Sequence, residues 1–142
     1  MFGPHLMLDG SGCERSKLED MALISSVLDG LPNAIGMTKI MPPYVFRYSG
    51  AVPEDWGVSG IVLIAESHIS IHTFPDKGFL SVDIFSCKDF DVEFATDYMV
   101  RTFGIKDVEQ QLLQRGREFP RSMGRAAKIL DWEREKVALV AQ

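Results

Sequence analysis

The sequence predicts an α+β fold, a two-layer sandwich with a mainly antiparallel sheet packed against helices. Two segments carry apolar residues at helical spacing, and between and after them lie runs of short alternating or apolar stretches of strand length. No repeat, low-complexity tract or linker interrupts the 142 residues, and a hydrophobic content of 46% suits one core rather than two, so residues 1–142 read as a single domain.

His5 to Asp9 is short, apolar and followed by Gly10-Ser11-Gly12, which predicts a first strand entering a turn. Ser16-Lys17-Leu18-Glu19 has the spacing of a capping box, and Leu18, Met21, Val27, Leu28 and Leu31 recur at helical intervals before Pro32 closes the segment. Met37 to Met41 and Tyr44 to Tyr48 read as extended, interrupted by Pro42-Pro43, which fits a bent or edge strand. Ser49 to Gly57 has the composition of a loop that could reach over a pocket. Three closely connected strands follow: the apolar run Val58 to Ala65, then the alternating runs His68 to Thr73 and Leu80 to Phe85. Asp91 to Phe103 predicts a second helix stopped by Gly104, Val108 to Leu113 a last strand, and Arg125 to Val140 a further helix.

Composition narrows the function classes. A net charge of -5 with scattered Lys and Arg offers no positive field for nucleic acid. The start, Met-Phe-Gly-Pro-His, lacks the pattern of a secretion signal, and no uncharged stretch nears the roughly 20 residues that span a bilayer, so a cytoplasmic protein without membrane partners is expected. Cys13 and Cys87 are too few for a disulfide scaffold, leaving each to be packed or chemically used.

The densest group of reactive side chains is Ala65-Glu66-Ser67-His68-Ile69-Ser70-Ile71-His72-Thr73, directly after an apolar strand. One reading is a strand end whose Ser and His residues face water or satisfy backbone groups. The other is self-cleavage. A serine at a tight connection can attack the preceding carbonyl, here that of Glu66, and convert the amide to an ester. A base that then removes the Ser67 α-proton would eliminate the ester and leave a pyruvoyl group at a new N-terminus. Alternation favours His72 over His68 for that base.

Gly57-Val58-Ser59-Gly60, Glu66-Ser67-His68-Ile69-Ser70-Ile71-His72-Thr73-Phe74-Pro75 and Val82-Asp83-Ile84-Phe85-Ser86-Cys87 together resemble the core of the prokaryotic S-adenosylmethionine decarboxylase proenzymes, over roughly residues 5 to 115. The resemblance implies cleavage between Glu66 and Ser67 into a β chain of residues 1–66 and an α chain of residues 67–142 headed by a pyruvoyl group made from Ser67. It implies Ser59 as a donor that stabilises the processing intermediate, His72 as the processing base and Cys87 as the proton donor to the substrate carbon after carbon dioxide leaves. Asp9 falls where the family more usually has Glu, near the substrate ammonium or processing site. Phe74 stands for the more frequent Trp and Asp76 for Glu, in a neighbourhood tied to nucleoside recognition. Tyr48 or Trp56, beside the long loop, could stack on an adenine ring or attract a sulfonium cation. Ordinary loop packing explains them equally well.

The implied substrate is the small molecule S-adenosylmethionine, joined to the pyruvoyl ketone as a Schiff base, with no metal or diffusible organic cofactor, and with the product serving spermidine synthesis. Pyruvoyl enzymes of this fold also act on arginine or ornithine, which makes those amino acids the rival substrates. A noncatalytic α+β binding module is the third reading, and a metal site of His68, His72 and Cys87 lacks the usual paired-cysteine spacing. Compact members of the family imply a homodimer of processed protomers.

Overall fold

Strand alternation decides this architecture. A computed structural model describes residues 3–120, 132–137 and 140. Its strands are β1 (Gly3–Ser11), β2 (Tyr44–Tyr48), β3 (Gly57–Ile64), β4 (Ser67–Phe74), β5 (Phe79–Phe85) and β6 (Asp107–Arg115). Its helices are α1 (Arg15–Leu18), α2 (Met21–Ala34) and α3 (Val92–Phe103). The strands form one sheet in the order β2-β3-β4-β5-β1-β6, and every neighbouring pair is antiparallel.

Because successive side chains point to opposite faces, Leu6 and Leu8, Val58 and Val62, Ile69 and Ile71, and Leu80 and Val82 all fall on one face and are buried. There they meet Ile24, Val27, Leu28 and Leu31 of α2 and Ala95, Met99 and Phe103 of α3. Burying each such chain contributes about 1.5–3 kcal/mol before entropy is subtracted. Neither α2 nor α3 packs on the opposite face. It presents Phe46, Ile61, Leu63 and Leu113, all more than a third exposed, among polar groups.

Several boundaries differ from expectation. Ser16 caps nothing: α1 is a single turn ending at Leu18, and α2 starts afresh with Asp20 as its cap, whose carboxylate accepts from the Leu23 amide at 3.0 Å. Leu18, fully buried, sits at the break, so a core side chain rather than helical continuity fixes this corner. Pro32 lies inside α2, which runs on to Ala34, at the loss of the one amide bond that its nitrogen would give to the Leu28 carbonyl. The Met37–Met41 strand is reduced to one bridge from Lys39 to Ile64, ahead of Pro42-Pro43, and β2 is the edge strand. The Ser49–Gly57 loop contains a 3-10 turn at Pro53–Asp55. Within the expected helix 125–140, residues 132–137 and 140 are helical and the rest lie outside the described residues.

Two contacts tie the sheet together beside the reactive segment. The Thr73 hydroxyl, buried, donates to the Leu18 carbonyl at 2.7 Å and accepts from the Val58 amide at 3.0 Å, joining α1, β3 and β4. At Gly57 a Cβ would stand 1.7 Å from the Thr73 carbonyl oxygen, so only glycine lets β3 approach β4 there.

Candidate active site

Ala65-Glu66 is the two-residue turn of the β3–β4 hairpin, closed by the Ile64↔Ser67 pair. Ser67 is therefore the first residue of β4. Its side chain is on the helix-facing side and only 8% exposed, and its hydroxyl has no protein hydrogen-bond partner among the described residues. An unpaired buried hydroxyl costs about 1–3 kcal/mol. It is also free to act as a nucleophile on the carbonyl next to it. Cys87, two residues beyond Phe85, places its thiol 3.1 Å from the Ala65 carbonyl oxygen, so β5 delivers the half-buried cysteine to the same turn. Glu66 is exposed at the tip of the turn.

A second pair forms at the far end of β4. Register sets Ser59 opposite His72, and Ser59 Oγ lies 2.8 Å from His72 Nδ1 on the open face. His72 lies five positions beyond Ser67 along one strand, a span of roughly 17 Å. Within one chain the hydroxyl–imidazole pair therefore does not reach Ser67, a separation that the spacing implies once both residues lie on one strand.

The predicted substrate residues divide likewise. Tyr48, Ser59, His72 and Phe74 line one pocket of about 220 Å³, together with Asp55 and Gly57. Trp56 has one ring face covered by the Arg47 guanidinium, 4.2 Å from the ring centre. Asp76 is paired with Arg15 at 2.8 Å. Asp9 accepts from Ser81 at 3.2 Å and lines a groove with Asp83, Glu109 and Gln111 on the same open face.

Sequence reasoning set His68 aside in favour of His72 and passed over His5 and Arg115. His68 is the second residue of β4 and pairs across to Phe85, which pairs in turn with His5 on β1. The rings of His5 and His68 lie 5.6 and 5.8 Å from that of Phe85, the Arg115 guanidinium covers Phe85 at 4.0 Å, and His5 Nε2 lies 2.9 Å from Asp83 Oδ1. Burial, reinforced by the charges of His5 and Arg115 and opposed by Asp83, holds the His68 pKa below its ordinary value. The even-numbered alternation of β4 was the signal that could have placed His68 on this face. No group of three or more potential metal ligands occurs among the described residues.

Comparison with known proteins bears on this arrangement. The sequence profile of the S-adenosylmethionine decarboxylase family matches residues 4–116. A relative from Pyrococcus furiosus, an S-adenosylmethionine decarboxylase proenzyme, is 33% identical over 133 residues, 93% of this chain and 91% of its own. The proenzyme of the same name from Aquifex aeolicus is 33% identical over 116 residues, 81% of this chain and 82% of its own. The crystal structure of the adenosylmethionine decarboxylase from Aquifex aeolicus superposes with a TM-score of 0.66 at 30% identity, covering 80% of this chain and 89% of that one. With a profile that spans the whole sheet and relatives matched along most of their length, this chain belongs to the S-adenosylmethionine decarboxylase family.

Proposed function

We propose that this protein decarboxylates S-adenosylmethionine with a pyruvoyl group that it makes by cutting itself between Glu66 and Ser67. The observation that carries the reading is the β3–β4 turn, where a buried, unpartnered Ser67 hydroxyl adjoins the Glu66 carbonyl and the Cys87 thiol stands against Ala65. Attack of Ser67 Oγ on the Glu66 carbonyl carbon forms an ester as the amide C–N bond breaks. Removal of the Ser67 α-proton then breaks the Cβ–Oγ bond and frees Glu66 as a carboxylate. Water converts the dehydroalanine left behind to a pyruvoyl group and releases ammonia. The residues present fit that group, since the position is shielded on the core side and has a thiol beside it.

The ketone supplies an electron-withdrawing carbonyl that draws electrons from the bond to the departing carboxylate. Cys87 then returns a proton to the substrate carbon, and no metal is needed. The Tyr48–Phe74 pocket offers flat apolar rings to a nucleoside, which favours S-adenosylmethionine over arginine or ornithine.

The assembly proposed is a homodimer in which two open sheet faces stack about 10 Å apart. A two-fold axis lying between the sheets and crossing the strands sets the Ser67 end of one β4 over the Ser59–His72 end of the other. That pairing also sets the Arg115 end of the face against the partner's Asp9 and Glu109, so the charges are complementary. Each catalytic centre then joins Ser67, Glu66 and Cys87 of one protomer to Ser59 and His72 of its partner. Two unpaired thiols fit a reducing, cytoplasmic setting.

Denaturing intact mass of wild type and Ser67→Ala tests the reading. Two wild-type fragments meeting at Glu66 and Ser67, an α chain that reacts with hydroxylamine as a ketone does, and an uncut variant are expected. A wild-type chain that stays whole after prolonged incubation would overturn it.

A further inference from the structure

The proton chemistry above leaves one titratable side chain beside the new ketone without a task. His68 becomes the second residue of the α chain, with its ring on the open face of β4. Edge-on packing against Phe85 fixes that ring, and neither of its nitrogens has a hydrogen-bond partner among the described residues. Groups from each neighbouring element face it: Asp83 and Phe85 from β5, His5 from β1, Arg115 from β6 and Leu63 from β3, with Glu66 and Cys87 at the turn. The one nearby anion on the sheet, Asp83, is engaged by His5.

We infer that His68 is a catalytic residue of the decarboxylation, the base that takes a proton from the substrate's α-ammonium group so that the nitrogen can attack the ketone. The inference rests on the function proposed above. An amino acid arrives with its nitrogen protonated and without a lone pair, so one N–H bond must break before the new C–N bond forms. The free imidazole nitrogen receives that proton; after attack a second proton passes from the nitrogen to the oxygen, and His68 then returns its own to the resulting hydroxyl, which leaves as water as the C–O bond breaks. His68 ends each cycle neutral, and no other acid, base or oxidant is consumed. A depressed pKa keeps the ring unprotonated near neutrality, the state this task needs.

The test compares the full-length wild type with His68→Gln. Both are first checked by denaturing mass for cleavage at Glu66–Ser67. S-Adenosylmethionine is then added with cyanoborohydride, and its covalent attachment to the α chain is timed by mass between about pH 5 and about pH 8. Hydroxylamine, an amine far less basic than an α-amino group and largely unprotonated near neutrality, serves as the reference reagent, the two proteins being compared at each pH. Wild type should attach substrate with a rate that falls with acidity below the ordinary histidine value of 6.5. His68→Gln should cleave, react with hydroxylamine at the wild-type rate, attach substrate about a hundredfold more slowly and lose the break near the histidine value, its rate rising with pH across the whole range as the free-amine fraction does. Substrate attachment at the wild-type rate with the break intact would overturn the assignment, as would an equal slowing with hydroxylamine, which marks general damage. Should the variant fail to cleave, NMR titration of the wild-type His68 ring decides: a midpoint that differs from the break overturns the assignment, and coincidence supports it. Failure of the underlying reading looks different: a wild-type chain that never cleaves, or one that takes up hydroxylamine but never S-adenosylmethionine.

Discussion

The two cysteines differ because one is packed and the other is delivered to a turn. Burial pushes the Cys13 thiol up to about 11, whereas Cys87 is half-buried at the hairpin. A thiol reagent at neutral pH should label Cys87 in the native protein and Cys13 only after denaturation, as read by peptide mass mapping. Because the folded state holds the Cys13 proton more tightly than the unfolded chain, its contribution to stability is present below pH 9.0 and lost as pH rises to about 11. Urea unfolding across that window should show the decline, flattened in Cys13→Ala. Thr73 is a second residue whose role is local. Thr73→Val leaves the Val58 amide and the Leu18 carbonyl without their shared hydroxyl, and a loss of about 1–3 kcal/mol in urea unfolding is expected.

At the scale of elements, the break between α1 and α2 assigns capping to Asp20 rather than Ser16. Asp20→Ala should cost about 1 kcal/mol, whereas Ser16→Ala should leave the unfolding midpoint nearly unchanged, since Ser16 caps no helix. Equal costs would restore the capping box. The helix α3 met its sequence signals at both ends: Asp91 accepts from the Phe94 amide at 2.9 Å, and Gly104 closes the helix in the left-handed conformation. Strand identity was likewise legible in Val58–Ala65, His68–Thr73 and Leu80–Phe85, where apolar residues either dominate or alternate. Met37–Met41 had a similar composition but only the short end of β3 beyond its pairing with Tyr44–Tyr48 to meet, which leaves a single bridge from Lys39 to Ile64.

For the whole molecule, the separation of Ser67 from His72 makes assembly the decisive variable. Ser67→Ala retains His72, and His72→Ala retains Ser67, so neither homodimer has a complete centre under the proposed stacking. Co-expression should restore one complete centre per mixed dimer, and denaturing mass should then show cleavage of the His72→Ala chain alone. If the mixed sample remains uncut while wild type cleaves, the two ends do not meet between protomers. The charge pattern belongs to the same scale: Arg115 lies at one end of the open face and Asp9 and Glu109 at the other, on strands distant in sequence.

The sequence by itself determined the α+β class, most of the strands and the reactive segment around Ser67, because alternation, caps and motif spacing are local properties of the chain. Only the tertiary structure decided that Cys87 reaches the Ala65 turn, that Ser59 meets His72 far from Ser67, and that His68 shares a row with Phe85 and His5. Those facts depend on register and strand order. A shift of one residue in an antiparallel pair would turn every side chain to the other face, and that register is fixed by long-range packing at places such as Gly57 against Thr73.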